Sequence, residues 1–454
     1  MNDLLHIVIL AAGKGTRMYS KLPKVLHQIG GTALVEHVIH TAQSLNPVSI
    51  QVVIGHGKEL VQAQIQENVI WVVQDQQLGT GHAVKCALPQ LPKDGKTLIL
   101  YGDVPLTDST TLEQLLAIAQ DEVGLLTDVL VQPSGYGRII RDEHGICGIV
   151  EEKDATAEQK AIQEINTGIL VLPNAHLEKW LNTLQNSNAQ GEYYLTDVIA
   201  LAVQDGVRVH GMQVRESHLA AGINNKLQLA EIERIYQKTQ AEQLMLAGVT
   251  LRDPQRLDLR GKLTHGQDCV IDVNVLIEGD CVLGDDVHIG ANCVLENVTI
   301  GSGTRIAPFS HLSHCSVGIN AQIGPFARLR PQAKLGDEVH IGNFVEVKNS
   351  QVGNGSKINH LSYIGDAEIG TETNVGAGSI TCNYDGVNKF KTTIGDKVRI
   401  GSGTMMVAPV HIHDLATTGA GSVITHDCPE NQLTVGRARQ VTIANWKRPE
   451  KNKA

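Results

Sequence analysis

Apolar residues along this chain of 454 residues follow two rhythms. In the second half they recur every six residues. The register runs Ile271, Ile277, Leu283, Ile289, Leu295, slips by one, and continues Ile300, Ile306, Leu312. A second slip leads to Val317, Ile323, Leu329, Leu335, Ile341 and Val347, then Val352, Ile358, Ile364, and then Ile369 and Val375. After an insertion at 381–393 it returns at Ile394, Ile400, Met406 and Ile412. A helix of about 3.6 residues per turn does not lock to a period of six, whereas short strands separated by turns do. The pattern predicts a parallel β-helix with these aliphatic residues pointing inward and coils stacked about 4.8 Å apart. The insertion is expected to project as a loop.

The first half reads differently. Short apolar runs at 6–10, 49–54, 70–73 and 97–101 predict strands. Helix-period stretches lie at 34–44, 60–66, 81–88, 192–203 and 225–246. Strands alternating with helices predict an α/β, doubly wound sheet. The last helix is long, charged on one face and followed by Gly248, so it reads as a linker. The expected division is an α/β domain at 1–226, a linker helix at 227–247 and the β-helix domain at 248–454. A chain of this length is too long for one ordinary core.

Charge and cysteine usage narrow the partners. A formal net charge of −10 argues against a polymeric nucleic acid. The basic end around Lys447, Arg448, Lys451 and Lys453 is short and reads as a solvated tail. No apolar run is long enough to span a membrane, and residues 1–12 lack the positive start of a signal peptide. Eight cysteines without a C-x-x-C pair suit reduced thiols and a cytoplasmic location. The twelve-residue spacing of Cys269, Cys281 and Cys293 is expected to stack them along the β-helix. His411 and His413 share a strand face and read as a surface pair, since further zinc ligands are not apparent.

Candidate chemistry in the first half begins where the strand at 6–10 enters Leu10-Ala-Ala-Gly-Lys-Gly-Thr-Arg-Met18, followed by Leu22-Pro-Lys24. Gly13 and Gly15 leave backbone amides open to phosphate oxygens, and Arg17 and Lys24 supply positive charge. The string lacks the upstream glycine of a Walker A loop, and Met18 replaces the third glycine of a dinucleotide fingerprint. Tyr101-Gly102-Asp103 closes the strand at 97–101, placing a carboxylate at the ligand edge of the sheet, where Mg²⁺ takes one or two carboxylates plus phosphate oxygens. Gln74 and the Gln77-Leu-Gly79-Thr80-Gly81 turn offer amides and hydroxyls to a base or phosphate. Gly135-Tyr-Gly137-Arg138 is a further turn, and Glu151 and the segment Glu164-Ile-Asn166-Thr-Gly168 are candidates for sugar hydroxyls. On local evidence Asn224 is a helix N-cap.

In the second half, an imidazole is the side chain best suited to take up a proton at neutral pH. Among 19 histidines, His360 is the sharpest candidate, with Arg330, Lys348 and Asn374 in nearby coils. Cations there suit a phosphorylated sugar.

The opening string resembles the signature of sugar nucleotidyltransferases, and the hexad repeat resembles the left-handed β-helix of hexapeptide acyltransferases. Taken together, Leu22-Pro-Lys-Val-Leu-His27, Gln77-Leu-Gly-Thr-Gly-His82, Tyr101-Gly-Asp-Val-Pro-Leu106, Gly324-Pro-Phe-Ala-Arg-Leu-Arg-Pro331, Gly342-Asn-Phe-Val-Glu-Val-Lys348 and Cys382-Asn-Tyr-Asp-Gly386 resemble the bacterial bifunctional N-acetylglucosamine-1-phosphate uridylyltransferase/glucosamine-1-phosphate acetyltransferase family over essentially the whole chain. The resemblance implies an N-terminal Rossmann-like nucleotidyltransferase domain, a left-handed parallel β-helix, a homotrimer, and two reactions. Acetyl-CoA acetylates glucosamine 1-phosphate, and UTP then couples to the product with release of pyrophosphate, feeding cell-wall and lipopolysaccharide precursors. It also implies the site residues. Leu10, Ala11, Ala12, Gly13 and Lys24 bind the nucleotide, with Tyr101 and Gly102 nearby, and Gln74, Gly79 and Thr80 contact the uracil. Asp103 and Asn224 hold Mg²⁺, while Gly137, Glu151 and Asn166 meet the sugar. Arg17 and Lys24 neutralise charge. His360 is the general base, Arg330, Lys348, Tyr363 and Asn374 bind the aminosugar phosphate, and Ala377, Asn383, Tyr384, Ser402, Ala420 and Arg437 bind acetyl-CoA. The alternatives are a monofunctional sugar nucleotidyltransferase with a structural β-helix and a non-catalytic trimeric scaffold. His360, Lys348 and Arg330 speak against the first, and Lys24 and Asp103 against the second.

Overall fold

A computed structural model describes residues 4–449 and 451. The chain forms two compact units, Met1–Tyr236 and Gln237–Ala454. The boundary falls inside the helix Lys226–Leu246.

The first unit is built on a nine-stranded sheet. Leu5–Ala11 lies between Ser49–Ile54 and Lys96–Tyr101, paired parallel to both, and Ile70–Val73 extends the edge. Glu164–Pro173 runs antiparallel beside Lys96–Tyr101, so the sheet is mixed. Consecutive residues of the central strand are buried on opposite faces. Ile7 and Ile9 pack with Val35, Ile39 and Leu115, whereas Val8 and Leu10 pack with Val84, Ala87 and Trp180. Covering both faces explains why these strands read as continuous apolar runs rather than alternating ones.

Two expected helices shift. The stretch at 60–66 starts earlier, as Lys58–Gln64 behind a left-handed Gly57. Of the stretch at 192–203, only the turn Leu195–Asp197 and the helix Val198–Gln204 are helical. Residues ahead of them are extended because Tyr193 N donates to Leu78 O (2.8 Å) and Gly81 N donates to Tyr193 O (2.8 Å).

The second unit is a stack of parallel coils, and every hexad position from Ile271 to Ile412 is buried. Ile277 pairs with Leu295 and Leu295 with Leu312, partners 18 and 17 residues apart. Each coil therefore spans three hexads. That corrects the cysteine expectation. Positions twelve residues apart share a hexad position but lie two faces apart, so the three thiols sit on three different faces and do not stack. The residues one coil beyond Cys269, Cys281 and Cys293 are Val287, Val298 and Ser310. All eight cysteines are free thiols. The insertion also needs trimming: Thr381 sits buried in Ile380–Cys382, and Thr392–Ile394 resumes the ladder. The projecting part is 383–391, with Val387 at its exposed tip.

One corner of the coil stack turns through left-handed residues, among them Phe309, Phe326, Phe344 and Leu361. Three of the chain's four phenylalanines stand here. Their rings stack at 5.0 and 5.3 Å and remain about half exposed.

Candidate active sites

In the first unit a cavity of about 570 Å³ opens at the carboxyl edge of the central strands. Leu10, Ala11, Ala12, Gly13, Lys24, Gln74, Gly79, Thr80, Tyr101 and Asp103 line it, as the sequence led us to expect. A Cβ on Gly13 would meet nothing within 4 Å, so that glycine leaves open space over the backbone. Gly15 is needed for another reason. Its φ is +58°, and a Cβ there would stand 2.6 Å from Lys24 Cβ. Gly102 lies behind the lining, donating from its N–H to Leu10 O at 3.0 Å. Met18 has no place for a third glycine's role because it is buried against Ile29, Leu34 and Ile232.

Four polar side chains from distant segments converge at the cavity rim. Lys24 Nζ ion-pairs with Asp103 Oδ2 and donates to Asn224 Oδ1 at 3.2 Å. Arg17 Nη2 donates to the same Asn224 oxygen at 2.9 Å. Asn224 is therefore not the N-cap that local sequence suggests. Asn225 takes that role, accepting from Gln228 N at 2.9 Å. Two hard oxygen donors, one carboxylate and one amide, gather around a single ammonium group, a donor set that suits Mg²⁺ with phosphate oxygens completing its shell. Among the described residues no group of three or more His, Cys, Asp or Glu forms a metal cage.

Gly137, Glu151 and Asn166 cluster together. Asn166 N donates to Gly137 O at 2.9 Å, and Thr196 Oγ1 donates to Glu151 Oε1 at 2.9 Å. Burial pushes the Glu151 carboxyl above its ordinary range, Thr196 opposes this, and Asp197 and Asp154 add to it. Tyr101 links this cluster to the cavity. Its phenol is pushed well up by burial, then by Glu151 and Asp103. Glu164 is unavailable to a sugar, since Arg141 holds it through two hydrogen bonds of 2.8 and 2.7 Å. Sequence reasoning missed Glu192, Ala83 and Val25 in the cavity lining. Nothing local marks them; Glu192 arrives only because its neighbour Tyr193 is bonded to Leu78 and Gly81.

In the second unit, His360 ends the strand Lys357–His360, and its Nδ1 lies 3.0 Å from Asn343 Oδ1 one coil away. Arg330 N donates to Val347 O (2.8 Å), the residue before Lys348, and Lys348 pairs in the ladder with Gly365. Arg330 pairs with Glu346 at 2.8 Å, and Lys348 with Asp366 at 3.6 Å. Asn343, stacked on His360, ends one strand, and the chain turns through left-handed Phe344 before the strand Glu346–Lys348. The imidazole and the cations thus stand on either side of the corner at Phe344 and Leu361, His360 in the strand before it and Lys348 with Tyr363 in the strands after it. Asn374 pairs with Lys357 and Arg399 in the ladder, three positions before Ala377. Ala377, Ser402 and Ala420 form a column in successive coils: Gly403 N donates to Ala377 O (2.7 Å) and Gly421 N to Ser402 O (2.8 Å). Arg437 donates to Ala420 O, closing the column. Asn383 is tied to Asp366, and Tyr384 is exposed on the loop.

Comparison with known proteins identifies both halves. Residues 7–140 match the family described as MobA-like NTP transferase domain. Residues 263–297 and 314–349 match bacterial transferase hexapeptide (six repeats). The chain is 65% identical to "Bifunctional protein GlmU" of Neisseria meningitidis serogroup B over 99% of both chains. It is 62% identical to the protein of that name from Chromobacterium violaceum over 99% of both. The Acinetobacter baylyi protein of that name is 57% identical, over 98% of this chain and 99% of its own. With identity of this level running through both units, the chain belongs to the family of bifunctional GlmU proteins, enzymes that join a uridylyltransferase and a glucosamine-1-phosphate acetyltransferase in one polypeptide.

Proposed function

We propose that the cavity of the first unit binds UTP and N-acetylglucosamine 1-phosphate, and that the coil surface around His360 transfers acetyl groups. The convergence of Arg17, Lys24, Asp103 and Asn224 at the cavity rim carries the first assignment. The amides of 10–13 receive the phosphates, Gln74, Gly79 and Thr80 face the uracil, and Gly137, Glu151 and Asn166 face the sugar. A phosphate oxygen of the sugar phosphate attacks the α-phosphorus of UTP, and the bond to the β-phosphate breaks to release pyrophosphate. The nucleophile is already an anion, so no side chain has to remove a proton. Arg17 and Lys24 neutralise the developing charge and hold the reactants in line. Asp103 and Asn224 are the residues that would hold Mg²⁺, whose role when bound is to shield phosphate charge.

For acetyl transfer, His360 accepts the amine proton as nitrogen attacks the thioester carbon, and the thiol of coenzyme A leaves. Its Asn343 partner fixes the imidazole. Arg330, Lys348, Tyr363 and Asn374 bind the aminosugar phosphate, and the column of Ala377, Ser402 and Ala420, with Arg437, Asn383 and Tyr384, takes acetyl-CoA.

His360 is exposed at the corner, with Lys348 on the next face, and this supports a site completed by a second copy, and hence a homotrimer. The stacked, half-exposed phenylalanine corner supports the same assembly. Thiols at all eight cysteines fit a reducing cytoplasm, and among the described residues no helix is long and apolar enough to cross a membrane. Co-assembly of His360→Ala chains with Lys348→Ala chains tests the shared site. Acetyl transfer restored in mixed oligomers supports it, and two inactive partners that stay inactive when mixed refute it.

A further inference from the structure

Gln74 is 3% exposed, and its side chain lines the nucleotide cavity. Its amide nitrogen lies 3.1 Å from the carbonyl oxygen of Gly79, a contact in which that nitrogen must donate. Its other partner is Nδ1 of His82, at 3.0 Å. Both amide hydrogens are spent inside the protein, so the carbonyl Oε1 is what Gln74 has left to offer a ligand. His82 accepts at Nδ1 only as the neutral ring with its proton on Nε2. Cys86 Sγ stands 4.0 Å from that Nε2. Burial, helped by Lys85, holds the imidazole below its ordinary value, while a backbone hydrogen bond at Gln76 works the other way. His82 is not in the cavity lining. It walls a separate hollow of about 290 Å³ together with Leu78, Leu181, Leu184 and Tyr193.

We propose that His82 is a positioning residue that sets the base preference of the nucleotide site by locking the Gln74 amide with Oε1 toward the base. In that orientation Oε1 accepts the N3–H of a uracil and meets the bare lone pair of a cytosine N3. A flipped amide would reverse the preference, and would set its oxygen against both the Gly79 carbonyl and the His82 lone pair. The inference rests on the assignment of Gln74 to the uracil.

The test is the ratio of kcat/KM for UTP over CTP, read as pyrophosphate release by the full chain and its variants. The ratio is independent of the fraction of enzyme that folds. His82→Phe and His82→Leu remove the acceptor and should lower the ratio about tenfold. His82→Asn places an amide oxygen near the position of Nδ1 and should keep it. Gln74→Ala should lower it as well. If both apolar variants keep the parental ratio while Gln74→Ala lowers it, the role of His82 is overturned and the uracil assignment survives. If Gln74→Ala leaves the ratio unchanged, the assignment itself falls and this inference falls with it. If His82→Asn loses the ratio as fully as the apolar variants, the ring acts by packing and the inference is overturned.

Discussion

Gly15→Ala isolates what holds Lys24 in place. The residue has φ +58° and ψ +36°, a left-handed conformation that costs about 1–2 kcal/mol for a residue with a Cβ. The new methyl would stand 2.6 Å from Lys24 Cβ and 3.4 Å from its Cγ. Carbon atoms pack at roughly 3.5–4.0 Å, so one side must yield by about 1 Å. Lys24 opens the turn Lys24–Leu26, whose Val25 and Leu26 are buried, so its backbone has little room to retreat. Overpacking of this kind adds about 1–3 kcal/mol. The total of about 2–5 kcal/mol lowers the midpoint of the first unit by about 4–20 °C. The functional effect is larger. A shift of about 1 Å at Nζ disturbs the contacts to Asp103 and Asn224 and should reduce uridylyl transfer about 10²-fold. Gly206→Ala is the control: φ is +77° and nothing lies within 4 Å. It carries only the backbone cost and should leave catalysis unchanged. The assay is kcat/KM for pyrophosphate release beside thermal unfolding. A folded Gly15→Ala enzyme within about threefold of the parent would refute the reasoning.

Other consequences are as direct. Thr196→Val removes the hydrogen bond that favours the charged form of Glu151. The carboxyl should then protonate at higher pH, and because the anion is the form that accepts from sugar hydroxyls, the acidic limb of the uridylyl pH profile should move upward; a downward or absent movement contradicts the role given to Glu151. Leu329→Ala empties a fully buried hexad position and should destabilise the β-helix by about 2–5 kcal/mol in denaturant unfolding, with uridylyl transfer preserved. Phe326→Asp places a charge in the stacked corner. Sedimentation velocity should show weaker self-association, with acetyl transfer falling and pyrophosphate release retained.

Periodicity made the β-helix legible residue by residue, because each inward position is paired to the same position one coil away and a mistake in register would expose it. What the spacing left undetermined was the number of hexads per coil. That number decides which residues stack, and it is why Cys269, Cys281 and Cys293 lie on three different faces. In the first unit, strand edges and glycine turns revealed the loop, the cations and Asp103. Asn224 was harder. Its local context is that of a helix cap, and only the fold carries it 200 residues back to Lys24. Glu192 was invisible for a related reason: apolar spacing favours a helix there, and two backbone hydrogen bonds to the 78–81 turn override it. The link from His82 to Gln74 likewise depends on a turn that brings residues eight apart side by side.

Thiol release from acetyl-CoA and glucosamine 1-phosphate, and pyrophosphate release from UTP, Mg²⁺ and N-acetylglucosamine 1-phosphate, measured on the parent, His360→Ala and Asp103→Asn, test the two-site account most directly. The account predicts that His360→Ala loses thiol release alone and Asp103→Asn loses pyrophosphate release alone. Loss of both activities in either folded variant would contradict it.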